Sequence, residues 1–402
     1  MVQAAQREAR PARLVMVALV SLGLLARLAP AFMMPPDAAA RLPGAPVYFV
    51  LARSLAEGRG FVLTETVQGG PVPGADPVAE PAVAADKDEA AVQRAPVMPA
   101  YPLLLAIGCG LDDAPLRATL VIQAVCGTVA MVLAAWMAHR LAGAWAAVVA
   151  AALLAFDPLG VLFAALVSPV TLAAVALAAA SVTGLAAVQA VRTGRRAWPW
   201  VLGAGAAQAA AAYVAVWTLA VLPVAVVAAL ASQHRRRLVT AWGLATAIVV
   251  VALAPWLVRN AGQGDEPAPV TDVGAGVIAA KEGKQEPGEP ARPEAGAVRR
   301  AGRVWSPALP PGIENGPLHP AAGYTSLLPV VLLAVVGLWA LRRQAEAWWL
   351  LVPAVAITFW QAAVGGWPGE RAAVVAPLAA LAGAGLVALL GKSGGAAEPA
   401  RK

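Results

Sequence analysis

Charge is scarce in this chain: 13% of its 402 residues are Asp, Glu, Lys or Arg, against 60% that are hydrophobic. Helices so poor in charge cannot present a polar face to water, which excludes a soluble globular protein. Histidine is rarer still, with only His139, His234 and His319, widely dispersed, so no His-rich metal site is expected. The two cysteines, Cys109 and Cys126, lie in or beside apolar stretches and form no CxxC or His/Cys pattern. Phosphate-loop chemistry is also missing. GLVALLGKS, at 385–393, has one residue too many between its glycines and ends an apolar helix instead of joining a strand to one.

What is present is a succession of long apolar runs with a formal net charge of +7. The basic residues sit in short clusters between those runs, a membrane-topology pattern and not the footprint of a nucleic-acid binder. Arg7, Arg10 and Arg13 precede the first run, 14–34, which is long enough to cross a bilayer and is read as a retained helix with a cytoplasmic N-terminus. Further crossings are expected at 115–137, 144–166, 170–191, 239–257, 324–341, 347–364 and 371–390. The run 197–232 would be about 50 Å long as one helix, against a bilayer core of about 30 Å. It is therefore expected to fold as two short helices turning near 212–217. The inner connections then carry His139 and Arg140, Arg192 with Arg195 and Arg196, Arg235 to Arg237, Arg342 with Arg343, and Lys392.

The expected fold is thus an all-α, polytopic transmembrane helical bundle of about ten spans with both termini cytoplasmic. Its expected divisions are an N-terminus and first helix at 1–34, a first extracytoplasmic loop at 35–114 and a central bundle at 115–257. A second extracytoplasmic loop rich in Pro, Gly and Glu follows at 258–323, then C-terminal spans at 324–391 and a tail at 392–402. The first loop holds an amphipathic piece near 47–57, a polar tract at 68–95 that cannot build a core, and a short interfacial helix at 98–110. Trp198, Trp200, Trp256, Trp348, Trp349 and Trp367 fall at span ends, as an interfacial aromatic belt would.

Five stretches, in order, carry a resemblance: VYFVLARSLAEGRGF (47–61), RAPVMPAYPLLLA (94–106), RATLVIQAVCG (117–127), PWLVRN (255–260) and RAAVVAPLAALAGAGL (371–386). Together they resemble the polytopic GT-C glycosyltransferases, and are similar to bacterial relatives of protein O-mannosyltransferases and of the lipid A aminoarabinose transferase. The resemblance implies an enzyme of the bacterial inner membrane, needing no cofactor, that takes a sugar from a polyprenyl-phosphate donor. The acceptor would be a lipid, glycan or protein on the extracytoplasmic face, with no nucleic acid involved. Such transfer needs a carboxylate to take the acceptor's proton and cations to stabilise the departing phosphate.

At the positions where the resemblance implies acids, this chain has Gly44 and Ala45 before Tyr48, and Val170 in the segment Ser168 to Leu172. Asp37, eleven residues before Tyr48, and Asp157, inside an apolar run, are the remaining candidate catalytic carboxylates. An exposed loop position is the plain alternative for Asp37, and a tolerated interfacial one for Asp157. Arg27, Arg53, Arg259 and Arg371 all fall toward the outer side, where arginines are informative. Arg259, Arg371 and Arg53 are the candidate lipid-phosphate ligands, and Tyr48 with Tyr101 the candidate sugar or acceptor pocket. Ordinary snorkelling is the alternative for each arginine. The missing acids also support a second reading, a non-catalytic GT-C-fold descendant acting as a lipid-binding or envelope-assembly subunit. A transporter is less well supported, because the sequence has no inverted repeat and its polar residues gather at the outer boundary.

Overall fold

A computed structural model describes residues 2–33, 45–63, 93–94, 98–111, 115–261, 305, 321–363 and 368–390. The polar tract at 68–95 apart from 93–94, most of the second expected outer loop, the tail at 392–402 and Asp37 lie outside the described residues. The described chain is helical, apart from a two-residue antiparallel ladder in which β1 (Val62–Leu63) pairs with β2 (Gln93–Arg94).

The described residues form fourteen α-helices. The first four are α1 (Val2–Met33), α2 (Ala45–Ala56), α3 (Ala100–Leu111) and α4 (Pro115–Ala142). Next come α5 (Ala144–Ala155), α6 (Pro158–Ala165), α7 (Val170–Arg192), α8 (Trp198–Val214) and α9 (Val221–Leu230). The last are α10 (Arg235–Ala261), α11 (Ala321–Ala340), α12 (Ala345–Trp349), α13 (Val352–Ala363) and α14 (Val375–Leu389). Among the described residues, five helices are long and apolar enough to cross a membrane, or six if the bent pair α5 and α6 is one span. The other expected crossings, 197–232, 324–341 and 347–364, form shorter or interrupted helices.

Burial is inverted relative to a soluble protein. Large side chains point outward along whole helix faces, as with Leu14, Val17 and Leu25 on α1, Val250, Val251 and Val258 on α10, and Leu332, Val335 and Trp339 on α11. Apolar faces of that extent are lipid-facing surfaces, since lipid tails solvate them as well as a protein interior does. The interior instead collects small and polar residues. Helix α14 packs against α11 and α5 through Ala376, Ala379, Ala380, Ala382 and Ala384, all essentially buried.

Two interruptions are built by polar side chains. The run 197–232 breaks where expected, α8 giving way at Val214 to a 3-10 turn, Val216–Ala220, before α9. Buried Gln208 donates from Nε2 to the Thr218 carbonyl at 2.6 Å, satisfying backbone that the break frees. The second interruption separates α5 from α6 by a bend of 55°. Asp157 sits in it as the N-cap of α6, with Pro158 as the first helical residue.

Of the six tryptophans expected at an aromatic belt, Trp198, Trp200 and Trp348 are exposed. Trp256 and Trp349 are buried, Trp349 stacking on Trp242 with centroids 5.1 Å apart. Trp367 lies outside the described residues. Burial of two belt candidates follows from α8 to α10 folding back on the bundle, which covers the inner faces of those span ends.

Candidate functional site: a buried charge cluster and an aromatic latch

The break between α5 and α6 leaves backbone N–H groups without helical partners inside an apolar layer, where each would cost several kcal/mol. Asp157 resolves this locally: Oδ1 accepts from the Leu159 N–H at 3.2 Å and Oδ2 from the Gly160 N–H at 3.0 Å. The same carboxylate, only 4% exposed, is the electrostatic partner of two buried guanidiniums, Arg27 of α1 and Arg371 of the 3-10 segment Pro368–Val374. Arg27 also donates from Nη1 to the Gly23 carbonyl at 3.0 Å and from Nη2 to the Leu154 carbonyl at 2.8 Å. It therefore ties α1 to the last turn of α5. Among the described residues, the cluster holds two arginines and one aspartate.

Glycines make the room. A Cβ at Gly160 would lie 2.7 Å from Asp157 Oδ2, one at Gly127 3.0 Å from Arg27 Nε, and one at Gly23 3.3 Å from Arg27 Nη1. A cavity of about 40 Å³ opens beside the cluster, lined by Arg27, Gly127, Asp157, Gly160 and Thr171 among apolar neighbours.

The two candidate tyrosines meet. Tyr48 of α2 and Tyr101 of α3 pack edge to face where the two helices meet, with centroids 4.9 Å apart. The Tyr101 hydroxyl donates to Gln123 Oε1 at 2.6 Å. Burial pushes this phenol above its ordinary pKa, against the opposing effect of a backbone hydrogen bond at Ser168. Gln123 of α4 passes the connection on: its Nε2 donates to the Leu166 carbonyl at 2.8 Å and the Ala164 carbonyl at 3.2 Å, closing the end of α6. One polar chain thus runs from the first-loop helices to the broken span.

Arg259 belongs to a different cluster. Its Nη2 donates to the Phe61 carbonyl at 3.0 Å, and its guanidinium lies 5.4 Å from the Phe61 ring centroid and 4.8 Å from that of Trp256. Trp256 stands one helical turn before Arg259, so both reach the same side of α10 and clasp Phe61 between them. This aromatic latch fastens the end of the α2 segment to α10. Arg53 is exposed and forms an ion pair with Glu57 one turn on, at 3.3 Å.

The structure therefore brings Asp157 and Arg371 together and Tyr48 and Tyr101 together, and gives Arg259 and Arg53 other neighbours. Three residues outside the candidate set join them: Arg27, Gln123 and Thr171. Each is a polar residue within an apolar run, the one signal the sequence offers for them. Val170, at the position where an acid is implied, is buried in the apolar core at the start of α7. Among the described residues, no three His, Cys, Asp or Glu side chains gather as a metal site would need.

Residues 94–258 match the family model described as dolichyl-phosphate-mannose-protein mannosyltransferase. Among solved structures, the chain is similar to the Archaeoglobus fulgidus oligosaccharyltransferase tethered with an acceptor peptide containing the NVT sequon. The identity is 15% and the TM-score 0.64, over 95% of this chain and 50% of that one. It is also similar to ArnT from Cupriavidus metallidurans bound to undecaprenyl phosphate, at 17% identity and TM-score 0.59 over 94% of this chain and 61% of that one. A third structure is the oligosaccharyltransferase AglB from Archaeoglobus fulgidus in complex with an inhibitory peptide and a dolichol-phosphate. It gives 13% identity and TM-score 0.53, over 92% and 50% of the two chains. The chain thus spans between 50% and 61% of the length of the structures it matches. No curated protein matches it in sequence.

Proposed function

We propose, from the premise that the chain has the GT-C glycosyltransferase fold, that it transfers a sugar from a polyprenyl-phosphate donor to an acceptor on the extracytoplasmic face of a bacterial inner membrane. The observation that carries this reading is the fold shared over 94% of the chain with a protein solved bound to undecaprenyl phosphate. In the reaction an acceptor hydroxyl or amine attacks the anomeric carbon, and the bond from that carbon to the phosphate oxygen breaks. The bonding pair stays on the phosphate, and the acceptor's proton passes to a carboxylate. Asp37, in the first outer loop, is the proposed base. Arg371 and Arg259 are proposed to stabilise the leaving phosphate, with Arg53 at the approach. Tyr48 and Tyr101 are proposed to support the sugar pocket, since both are buried where α2 and α3 pack together. Asp157 is proposed to hold Arg371 and Arg27 in place, because both its oxygens already accept backbone N–H groups.

The test is transfer of a radiolabelled sugar from polyprenyl phosphate in vesicles reconstituted with the full chain and envelope lipid or protein acceptors. Asp37→Asn is expected to reduce transfer by about 10²-fold or more, the range lost with a general base. Full activity in that variant removes Asp37 from the site. The buried Val170 at an implied acid position favours a second reading, a non-catalytic GT-C-fold subunit that binds lipid or assists envelope assembly. Absence of transfer by the parent protein with every donor tried supports that second reading.

A further inference from the structure

The end of the bundle away from the aromatic latch carries a second, exposed pairing of arginine with tryptophan. Arg342, just beyond α11, lies with its guanidinium carbon 4.9 Å from the centroid of the Trp339 ring, and its Nη1 donates to the Trp339 carbonyl at 3.0 Å. The Arg342 carbonyl in turn accepts from Trp348 Nε1 of α12 at 3.0 Å. Trp339 is 66% exposed and Trp348 51%, with Arg342 and Arg343 exposed beside them. Two contacts place this group in the fold. Arg192, in the last turn of α7, pairs with Glu346 of α12, and Trp349 of α12 stacks on Trp242 near the start of α10. Trp256 and Arg259 of the latch stand near the other end of α10, so α12 and the latch lie about 25 Å apart along that helix.

The chemistry of the group suits a phosphate at the membrane surface. A guanidinium laid along an exposed indole is held at the level where tryptophan sits in a bilayer, among the headgroups, instead of extending into water. Arg140 repeats the arrangement: its guanidinium carbon lies 5.3 Å from the Trp136 ring centroid, and its Nη2 donates to Gln189 Oε1 of α7 at 2.8 Å. The surrounding charge is of one sign. Arg195, Arg196, Arg235, Arg236 and Arg237 are exposed where α7 ends and α10 begins, and the sequence has no Asp or Glu between Asp157 and Asp265. Guanidinium groups bind phosphate oxygens through paired N–H donors, and clustered arginines favour anionic over zwitterionic headgroups. An acidic protein segment would be met by arginines standing clear of the rings, so a lipid fits this group better. We propose that Arg342, flanked by Trp339 and Trp348 and with Arg343 beside it, binds the phosphate headgroup of an anionic phospholipid. Membrane topology asks only for positive charge at one end of the bundle, whereas the ring contact and the two hydrogen bonds single out one arginine as a site. This binding is independent of sugar transfer, since the latch residue proposed to meet the donor lies at the far end of α10.

The delipidated full chain in detergent is titrated with phosphatidylglycerol and, separately, with phosphatidylcholine, and bound lipid is counted by native mass spectrometry. Phosphatidylglycerol is expected to bind about fivefold more tightly, and Arg342→Gln to weaken it about fivefold, the share of one interfacial arginine. Arg342→Lys keeps the charge and loses the planar fork, while Trp339→Leu keeps every charge and loses the ring. Each is expected to weaken binding about threefold. Both positions are exposed, so neither change reaches the core, and melting curves like the parent's check that. Arg59→Gln, at the latch end of the molecule, is expected to bind like the parent. Equal binding of the two lipids overturns the proposal, as does parent-like binding by either Arg342→Lys or Trp339→Leu, which would leave only diffuse charge. Binding of polyglutamate without preference between the lipids also overturns it, and assigns the surface to an acidic protein segment. Sugar transfer enters none of these readouts, so its presence or absence leaves their outcome unchanged.

Discussion

Asp157 has two tasks that a single substitution separates. As N-cap it accepts two backbone N–H groups, and asparagine performs that task about as well. As the counter-charge to Arg27 and Arg371 it cannot be replaced by a neutral group, because two guanidiniums would stay buried without it. Removing one partner of a buried ion pair costs about 3–5 kcal/mol. Asp157→Asn is therefore expected to destabilise the protein by about 3 kcal/mol, read by denaturant or thermal unfolding in detergent, whereas a purely capping aspartate would show almost no loss. The expected single crossing at 144–166 ran through the Asp-Pro pair at 157–158, because the apolar run continues on both sides of it. The partners were not legible at all: Arg27 and Arg371 lie 130 and 214 residues away from Asp157 in sequence, and helical periodicity says nothing about which helices touch.

Helix α14 shows how elements approach so closely in this bundle. A Cβ on Gly385 would lie 2.5 Å from the Leu333 carbonyl oxygen and from the Gly337 nitrogen, and one on Gly383 would lie 2.3 Å from the Ala146 carbonyl oxygen. These are backbone atoms, which cannot swing aside, so the glycines let α14 wedge between α11 and α5. Gly385→Ala is expected to cost about 1–3 kcal/mol through overpacking, while Gly243→Ala, where a Cβ meets nothing within 4 Å, is expected to be neutral or mildly stabilising. Comparing the two melting curves in one detergent checks this. Equal behaviour would mean that glycine is not what sets the α11 to α14 spacing. In the sequence nothing about LAGAGL, at 381–386, says that two different neighbours share the two glycines. The broken run 197–232 was legible for a stronger reason. Its length contradicts a single crossing of the bilayer, and length is a quantity that sequence states directly.

For the whole molecule, the decisive quantity is which end of the bundle faces the cytoplasm, because the proposed chemistry depends on it. Helices α1, α4, the bent pair α5 and α6, and α7 follow one another through the bundle, so the end of α7 lies on the same side as the start of α1 if each crosses once. By the positive-inside tendency, Arg192 at the end of α7 and Arg195 and Arg196 just beyond it are expected on the cytoplasmic side, and the α2 segment with Phe61 on the other. Arg259 ties that segment to the end of α10, which fixes the latch and the first-loop helices to one face. Arg195 and Arg59 are both exposed, so cysteines there are reachable by a reagent on their own side. In a background lacking Cys109 and Cys126, Arg59→Cys is expected to react with a membrane-impermeant maleimide in intact cells. Arg195→Cys is expected to react only after permeabilisation. The reverse pattern would put Arg259, Tyr48 and the first outer loop in the cytoplasm, and no transfer on the extracytoplasmic face could then be carried out by these residues.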